Sequence, residues 1–302
     1  MNFSGVMPAC VTPFDQNGQI DTASLAQLFS YFRSCGCSGV VVAGTNGEGP
    51  SLSAVEKRDL VRAAVPMAEG INVVLGVATP SLPEAIWLAE QAGKSGAAAI
   101  LLMAPSYFRS ASEQGIVDWF SRVADASPIP VIAYNFPKFT GFTFSESVVT
   151  VLAQQENICG FKDSSSEIGN LEMFRSLAPD ASLMIGDETL LHDALKAGWQ
   201  GTISGAANLV PQWLVRVVER FGADKDDSET AFAVLKPVVE SIRQGPQPAT
   251  IKSVLAHWGI VSNADVRLPL SSADGCEVWE LIESRLGLRR ENLGIPKRNY
   301  LV

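Results

Sequence analysis

Ile158-Cys159-Gly160-Phe161-Lys162-Asp163-Ser164-Ser165 runs through apolar residues without a helical period and then delivers a lysine. Short and apolar on both faces, Ile158–Phe161 reads as a buried strand of the kind that fills a parallel sheet, with Lys162 at its exit. A lysine there is costly, because burial disfavours the ammonium. Three responses are open to it. The side chain can snorkel to the rim, pair with a carboxylate such as Asp163, or give up its proton and act as an amine nucleophile. Residues elsewhere in the chain must decide among them.

Seven runs of the same kind surround this one: Val6–Val11, Val40–Ala43, Val73–Val77, Ala98–Met103, Pro130–Tyr134, Leu183–Ile185 and Thr202–Ile203. Between them lie helical patterns. Leu25, Leu28, Phe29 and Phe32 share one face, and Ser53-Ala54-Val55-Glu56 and Ser81-Leu82-Pro83-Glu84 both have the form of capping boxes. A paired-glycine punctuation recurs where helix hands over to strand, at Gly36–Gly39, Gly93–Gly96 and Gly198–Gly201. In each pair the first glycine suits a left-handed helix cap and the second a tight turn. Eight strand–helix repeats in a chain of 302 residues point to a (β/α)8 TIM barrel, with a doubly wound sheet as the alternative. The alternation stops after Asn208. Pro211–Phe221 is expected to be the eighth helix and Gly222–Ser228 a polar linker. Ala231–Arg243, Ala249–Trp258 and Cys276–Leu286 are expected to be helices, and Arg289–Val302 a basic tail. The expected division is therefore a barrel over residues 1–224 and a small C-terminal helical extension over 225–302.

Composition narrows the partners. A formal net charge of -9 disfavours nucleic acid and anionic membrane surfaces. No stretch approaches the length of a membrane span, and Met1–Val6 lacks the basic start of a signal peptide. Five cysteines without a Cys-x-x-Cys pair read as reduced thiols in a cytoplasmic protein, and His192 and His257 alone make a histidine-rich metal site improbable. Small molecules are the expected partners.

In a barrel, chemistry gathers where strands end. The expected strand ends bring Gly44-Thr45-Asn46-Gly47-Glu48, Tyr107, Tyr134, Lys162 and Gly186-Asp187-Glu188 to one rim. The Gly44–Gly47 turn can cradle a carboxylate with its hydroxyl, amide and backbone N–H groups, or it can be a plain glycine turn. Tyr134 is either a core residue with a satisfied hydroxyl or a proton relay beside an amine.

Taken together, Gly44-Thr45-Asn46-Gly47-Glu48, Tyr134-Asn135-Phe136-Pro137 with Thr140-Gly141, Gly160-Phe161-Lys162-Asp163 and Gly201-Thr202-Ile203-Ser204 resemble, in order and spacing, the signatures of the dihydrodipicolinate synthase/N-acetylneuraminate lyase family. The resemblance spans nearly the whole chain. It implies a homotetramer that binds a 2-oxo acid as a Schiff base without metal or organic cofactor. It casts Lys162 as the Schiff-base lysine, Tyr134 as proton shuttle, and Thr45 with Asn46 and Gly47 as the carboxylate site. Tyr107 corresponds to a tyrosine that serves a neighbouring subunit, and Ile203 to a residue whose carbonyl lines the pocket. Two positions depart from the pattern. Phe139 stands where the synthases carry an arginine that grips the second substrate, and Gly205 where neuraminate lyases tend to carry serine. Asp187 and Glu188 are left as polar groups for a hydroxylated substrate. With Asn46 in place of the usual threonine, the chain is similar to 4-hydroxy-2-oxoglutarate and 2-keto-3-deoxy sugar-acid aldolases. The expected reaction is reversible cleavage of a 4-hydroxy-2-oxo acid to pyruvate or glyoxylate plus an aldehyde or oxo acid. Dihydrodipicolinate synthesis and a catalytically silent 2-oxo-acid-binding role are the alternatives.

Overall fold

Eight parallel strands close into a barrel in the computed structural model, which describes residues 2–293. They are β1 (Gly5–Pro8), β2 (Gly39–Val42), β3 (Asn72–Val77), β4 (Ala99–Met103), β5 (Val131–Asn135), β6 (Ile158–Asp163), β7 (Ser182–Ile185) and β8 (Gly201–Ser204). Each pairs with its sequence neighbour, β1 pairs with β8, and a bridge between Ala9 and Val41 completes the ring. The barrel is therefore a (β/α)8 TIM barrel, as the alternation of the sequence leads one to expect.

Helices follow the strands and cover the ring. They are α1 (Thr22–Ser34), α2 (Ala54–Met67), α3 (Leu82–Ser95), α4 (Glu113–Ala126), the single turn α5 (Pro137–Thr140), α6 (Glu146–Ala153), α7 (Gly169–Leu177), α8 (Leu191–Lys196) and α9 (Pro211–Ala223). Leu25, Leu28, Phe29 and Phe32 are all buried, as one apolar face of α1 should be. Ser53 and Glu56 close their capping box in both directions, at 2.8 and 3.2 Å. The glycine punctuation differs in the middle repeat. There Gly96, with φ of 84°, caps α3, while Gly93 sits inside the helix against the ring of Pro128.

Period-two alternation sorts the strand side chains into two cores. Outward residues such as Val40, Leu75 and Phe161 pack under the helices. Inward residues fill the barrel: Met7, Val41, Val74, Leu101, Ile132, Tyr134, Met184 and Ile203, with Phe3 beside them. One irregularity governs this sorting. Val131 pairs with Ile158, but Ile132 pairs with Gly160, so Cys159 is an extra residue in β6. The bulge sets Lys162 directly opposite Tyr134. The pairing then continues to Asn135 and Asp163, so Lys162 lies within the strand rather than at its exit.

The expected linker over Gly222–Ser228 is not one. α9 ends at Ala223 and α10 (Lys225–Gln244) begins two residues later, joined by Asp224 alone. The carboxylate of Asp224 caps α10, accepting from the N–H of Asp226 and Asp227, and acidic residues suit that helix end. What looks like a solvated acidic segment is a helix start. The remaining helices are α11 (Ala249–His257) and α12 (Cys276–Leu286), with a further short turn at Arg290–Asn292. The part of the expected tail from residue 294 onward lies outside the described residues.

These C-terminal helices tie down the barrel rim where the strands end. Lys252 on α11 is fully buried and donates to Glu48, in the loop after β2, at 2.5 Å and to the carbonyl of Asp265 at 2.7 Å. The other oxygen of Glu48 accepts from the N–H of Arg267 at 2.7 Å. Arg267 in turn pairs with Glu56 at 2.6 Å. Replacing Lys252 with methionine strands a buried Glu48 carboxylate and is expected to lower the unfolding free energy by about 3–5 kcal/mol, read by urea denaturation. Adding Glu48→Gln should restore part of that loss, and a loss below about 1 kcal/mol would contradict a buried pair here.

Candidate active site

Lys162 and Tyr134 meet because β5 and β6 present them at the same level of the barrel. The Lys162 ammonium nitrogen stands 4.3 Å from the centre of the Tyr134 ring. Lys162 is only 6% exposed, yet it forms no ion pair and donates to no acceptor among the described residues. Asp163, the pairing partner the sequence offered, points away into its own network. It accepts from Asn135 at 2.6 Å and from the Ser165 hydroxyl at 2.7 Å. Burial therefore acts on Lys162 nearly unopposed and lowers its pKa to about 8, with the charge of Glu188 pulling weakly the other way.

Tyr134 is also buried, and its phenol is pushed well above the usual range by desolvation. Its oxygen accepts from the Ser164 hydroxyl at 3.3 Å, and Ser164 and Thr45 both pull the phenol back against that rise. Thr45 thus reaches Tyr134 from the loop after β2. That loop is a strained turn: Ala43 at φ 53° and Glu48 at φ 54° flank Gly44–Gly47 in the left-handed region. Thr12 clamps it, its hydroxyl donating to the Gly47 carbonyl at 2.6 Å. Among the described residues the N–H groups of Asn46 and Gly47 donate to no backbone carbonyl, which leaves them available to an anion.

Two glycines make room. A Cβ on Gly186 would press on the Ser164 hydroxyl and come within 2.7 Å of Lys162 Cε, so the lysine needs that position bare. A Cβ on Gly205 would collide with the carboxamide of Asn46. A serine at 205 and an asparagine at 46 in this position exclude one another.

Other residues singled out in the sequence take different places. Ile203 is fully buried inside the barrel. Phe139 on α5 is 46% exposed and stands edge-on to Phe136, 4.6 Å between ring centres, while Phe136 stacks on Tyr134. These rings form an aromatic wall running outward from Tyr134, with no guanidinium at position 139. Tyr107 is 80% exposed beside Phe108 and, among the described residues, bonds to none of the groups around Lys162.

Asp187 and Glu188 are committed to the protein. Asp187 accepts from the Ser166 hydroxyl, from Thr189 and from Arg243 at 2.9 Å. Burial opposes its ionisation, but these bonds outweigh it and hold the carboxyl below its ordinary pKa. Glu188 accepts from the Ser204 hydroxyl at 2.7 Å, the Ala206 N–H at 3.0 Å and Arg243 at 3.1 Å. Neither has an oxygen left without a protein partner. Sequence reading named Ser164 and Gly186 without giving either a role, and it missed Arg243. The first two stood in plain view beside Lys162 and Asp187; Arg243 lies on α10 and gave no local signal. Among the described residues no cluster of His, Cys, Asp and Glu is arranged to hold a metal ion.

Comparisons with known proteins match the chain over nearly its whole length. Residues 2–281 match the model of the dihydrodipicolinate synthetase family. A 4-hydroxy-tetrahydrodipicolinate synthase of Methanosarcina acetivorans is 31% identical over 285 residues, covering 93% of this chain and 96% of that one. Its counterpart from Endomicrobium trichonymphae is 30% identical over 300 residues, covering 98% and 100%. Among solved structures, a dihydrodipicolinate synthase of Bacillus anthracis superposes with a TM-score of 0.88 at 29% identity, over 96% of this chain and 99% of that one. A prophage protein of the dihydrodipicolinic acid synthase family from E. coli K12, solved in complex with pyruvate, gives 0.89 at 26% identity, over 95% and 99%. On the family match and these relatives, the chain belongs to the dihydrodipicolinate synthetase family of class I aldolases and lyases.

Proposed function

We propose that the chain cleaves a 4-hydroxy-2-oxo acid reversibly, giving pyruvate or glyoxylate plus an aldehyde or oxo acid, with Lys162 as the Schiff-base amine. One observation carries this: a buried lysine with no counter-ion bonded to it, facing a buried tyrosine. A structural lysine gains a partner, whereas this one is kept poised to deprotonate. With a pKa of about 8, roughly a tenth of it is free amine at neutral pH, against less than about a thousandth for an ordinary lysine.

The steps follow from the groups present. The Lys162 amine attacks the C2 carbonyl, water leaves, and a protonated imine forms. That imine is an electron sink, so the C3–C4 bond can break with its electron pair moving toward nitrogen. The C4 hydroxyl gives up its proton as the aldehyde departs, and the resulting enamine takes a proton at C3 before hydrolysis frees Lys162. Tyr134 is a phenol at neutral pH, so it passes these protons on through its bond with Ser164, with Thr45 beside it. The carboxylate is received by Thr45 and the N–H groups of Asn46 and Gly47. By resemblance, Tyr107 completes the relay of a neighbouring subunit in a homotetramer, and its exposure in the single chain supports that reading. The five free thiols fit a reducing, cytoplasmic setting.

A second reading, condensation of pyruvate with aspartate semialdehyde, is favoured by the names of the synthase relatives. Phe139 weighs against it, since a phenyl ring cannot hold the second carboxylate.

Borohydride reduction with pyruvate is expected to add a reduced pyruvyl group to Lys162; a folded chain without that adduct would sink the proposal. The rate of adduct formation should climb with pH and level off above about 8. The sign follows from the lowered pKa, which brings the reactive amine in at lower pH; a profile still rising toward 10 would show an ordinary lysine. Tyr134→Phe should reduce kcat for cleavage by about 10²–10⁴-fold. A panel of 4-hydroxy-2-oxo acids, assayed for pyruvate or glyoxylate release, separates cleavage from the semialdehyde condensation, which a coupled assay reads directly.

A further inference from the structure

Gln247 belongs to the segment between α10 and α11, outside the barrel proper, yet its side chain reaches the end of β8. Its amide nitrogen donates to the carbonyl of Ile242 at 2.9 Å. That bond fixes which way the amide faces and turns its oxygen toward the rim. The oxygen lies 3.2 Å from the point where a Cβ on Gly205 would stand, and the amide nitrogen of Asn46 crowds the same point. Among the described residues, neither the Gln247 oxygen nor the Asn46 nitrogen has a hydrogen-bond partner of its own.

The bare backbone of Gly205 thus lies between an uncommitted acceptor and an uncommitted donor. A carboxylate would be repelled by the Gln247 oxygen, and an apolar group would leave both amides unpaired. A hydroxyl satisfies both, accepting from Asn46 and donating to Gln247. The pyruvyl half of a substrate is taken up by Lys162, Tyr134 and Thr45 at the strand ends. Gln247 approaches from beyond the strands, where the other half projects. We infer that Gln247, with Asn46, forms a subsite for a hydroxyl on the aldehyde-derived half of the substrate, so that hydroxylated aldehydes are the preferred partners of pyruvate. This rests on the Schiff-base reading of Lys162. It also gives the hydroxyl recognition a location other than Asp187 and Glu188, whose oxygens are already engaged.

The test compares condensation of pyruvate with glyceraldehyde and with propanal, which lacks the two extra hydroxyls. The unaltered chain should show the higher kcat/KM for glyceraldehyde; equal values overturn the inference without any variant. Gln247→Met keeps the length of the side chain and removes the acceptor, and it should cut the glyceraldehyde-to-propanal ratio by about five- to tenfold, the effect of one hydrogen bond. A ratio within about twofold of the unaltered chain in Gln247→Met, including one left unchanged because both aldehydes are slowed alike, overturns it. Borohydride trapping of Lys162 on the unaltered chain reads the underlying chemistry separately. A trapped lysine with no preference for glyceraldehyde refutes the subsite alone, whereas no trapping refutes the Schiff-base reading beneath it.

Discussion

A lysine buried without a bonded counter-ion is the constraint to which the rest of this barrel answers. Lys162 would be quenched if any carboxylate nearby were free to reach it, and two are close enough to matter. Asp163 is turned away and held by Asn135, Ser165 and Asn170. Glu188 makes itself felt only as a distant charge, because Ser204, Ala206 and Arg243 consume its oxygens. Removing that arrangement would turn an unpaired amine into half of a salt bridge. Keeping an amine poised therefore costs the fold several hydrogen bonds made elsewhere.

Those bonds explain the helices beyond the barrel. Two loops on the rim that carries Lys162 hold buried acids, Glu48 after β2 and the Asp187–Glu188 pair after β7, and each is met by a cation from the C-terminal region. Lys252 holds the loop that presents Thr45, and Arg243 holds the acids that would otherwise compete for Lys162. The strained backbone at Ala43 and Glu48 persists because Lys252, Arg267 and Thr12 fix the turn from outside. The C-terminal helices are part of the support of this rim.

Strand number, order and the meeting of Lys162 with Tyr134 were legible because each leaves a local trace: apolar runs of strand length, glycine punctuation, a lysine among apolar residues. What escaped was set by distant parts of the chain. The extra residue at Cys159 has no signature of its own, yet it decides the register that puts Lys162 opposite Tyr134. Gly222–Ser228 misled because a run of acids serves a helix start as well as a solvated linker. Asp187 and Glu188 looked free because Arg243, fifty-five residues and more away in sequence, is invisible to any local reading.

The same reasoning bears on selectivity at the mouth of the barrel. Position 139 lies on α5, position 205 after β8, position 46 after β2 and position 247 outside the barrel, so no single motif encodes the substrate. They are coupled by volume. Asn46 fills the space above Gly205, which bars a side chain there and leaves the Gln247 oxygen uncovered. Phe139 continues the ring wall of Phe136 and Tyr134, which removes charge from the opposite side. A serine introduced at 205 alone would displace Asn46 before it could contact a substrate, and an arginine at 139 alone would face a site whose other side offers amides. Changing what this barrel accepts therefore requires moving the set together.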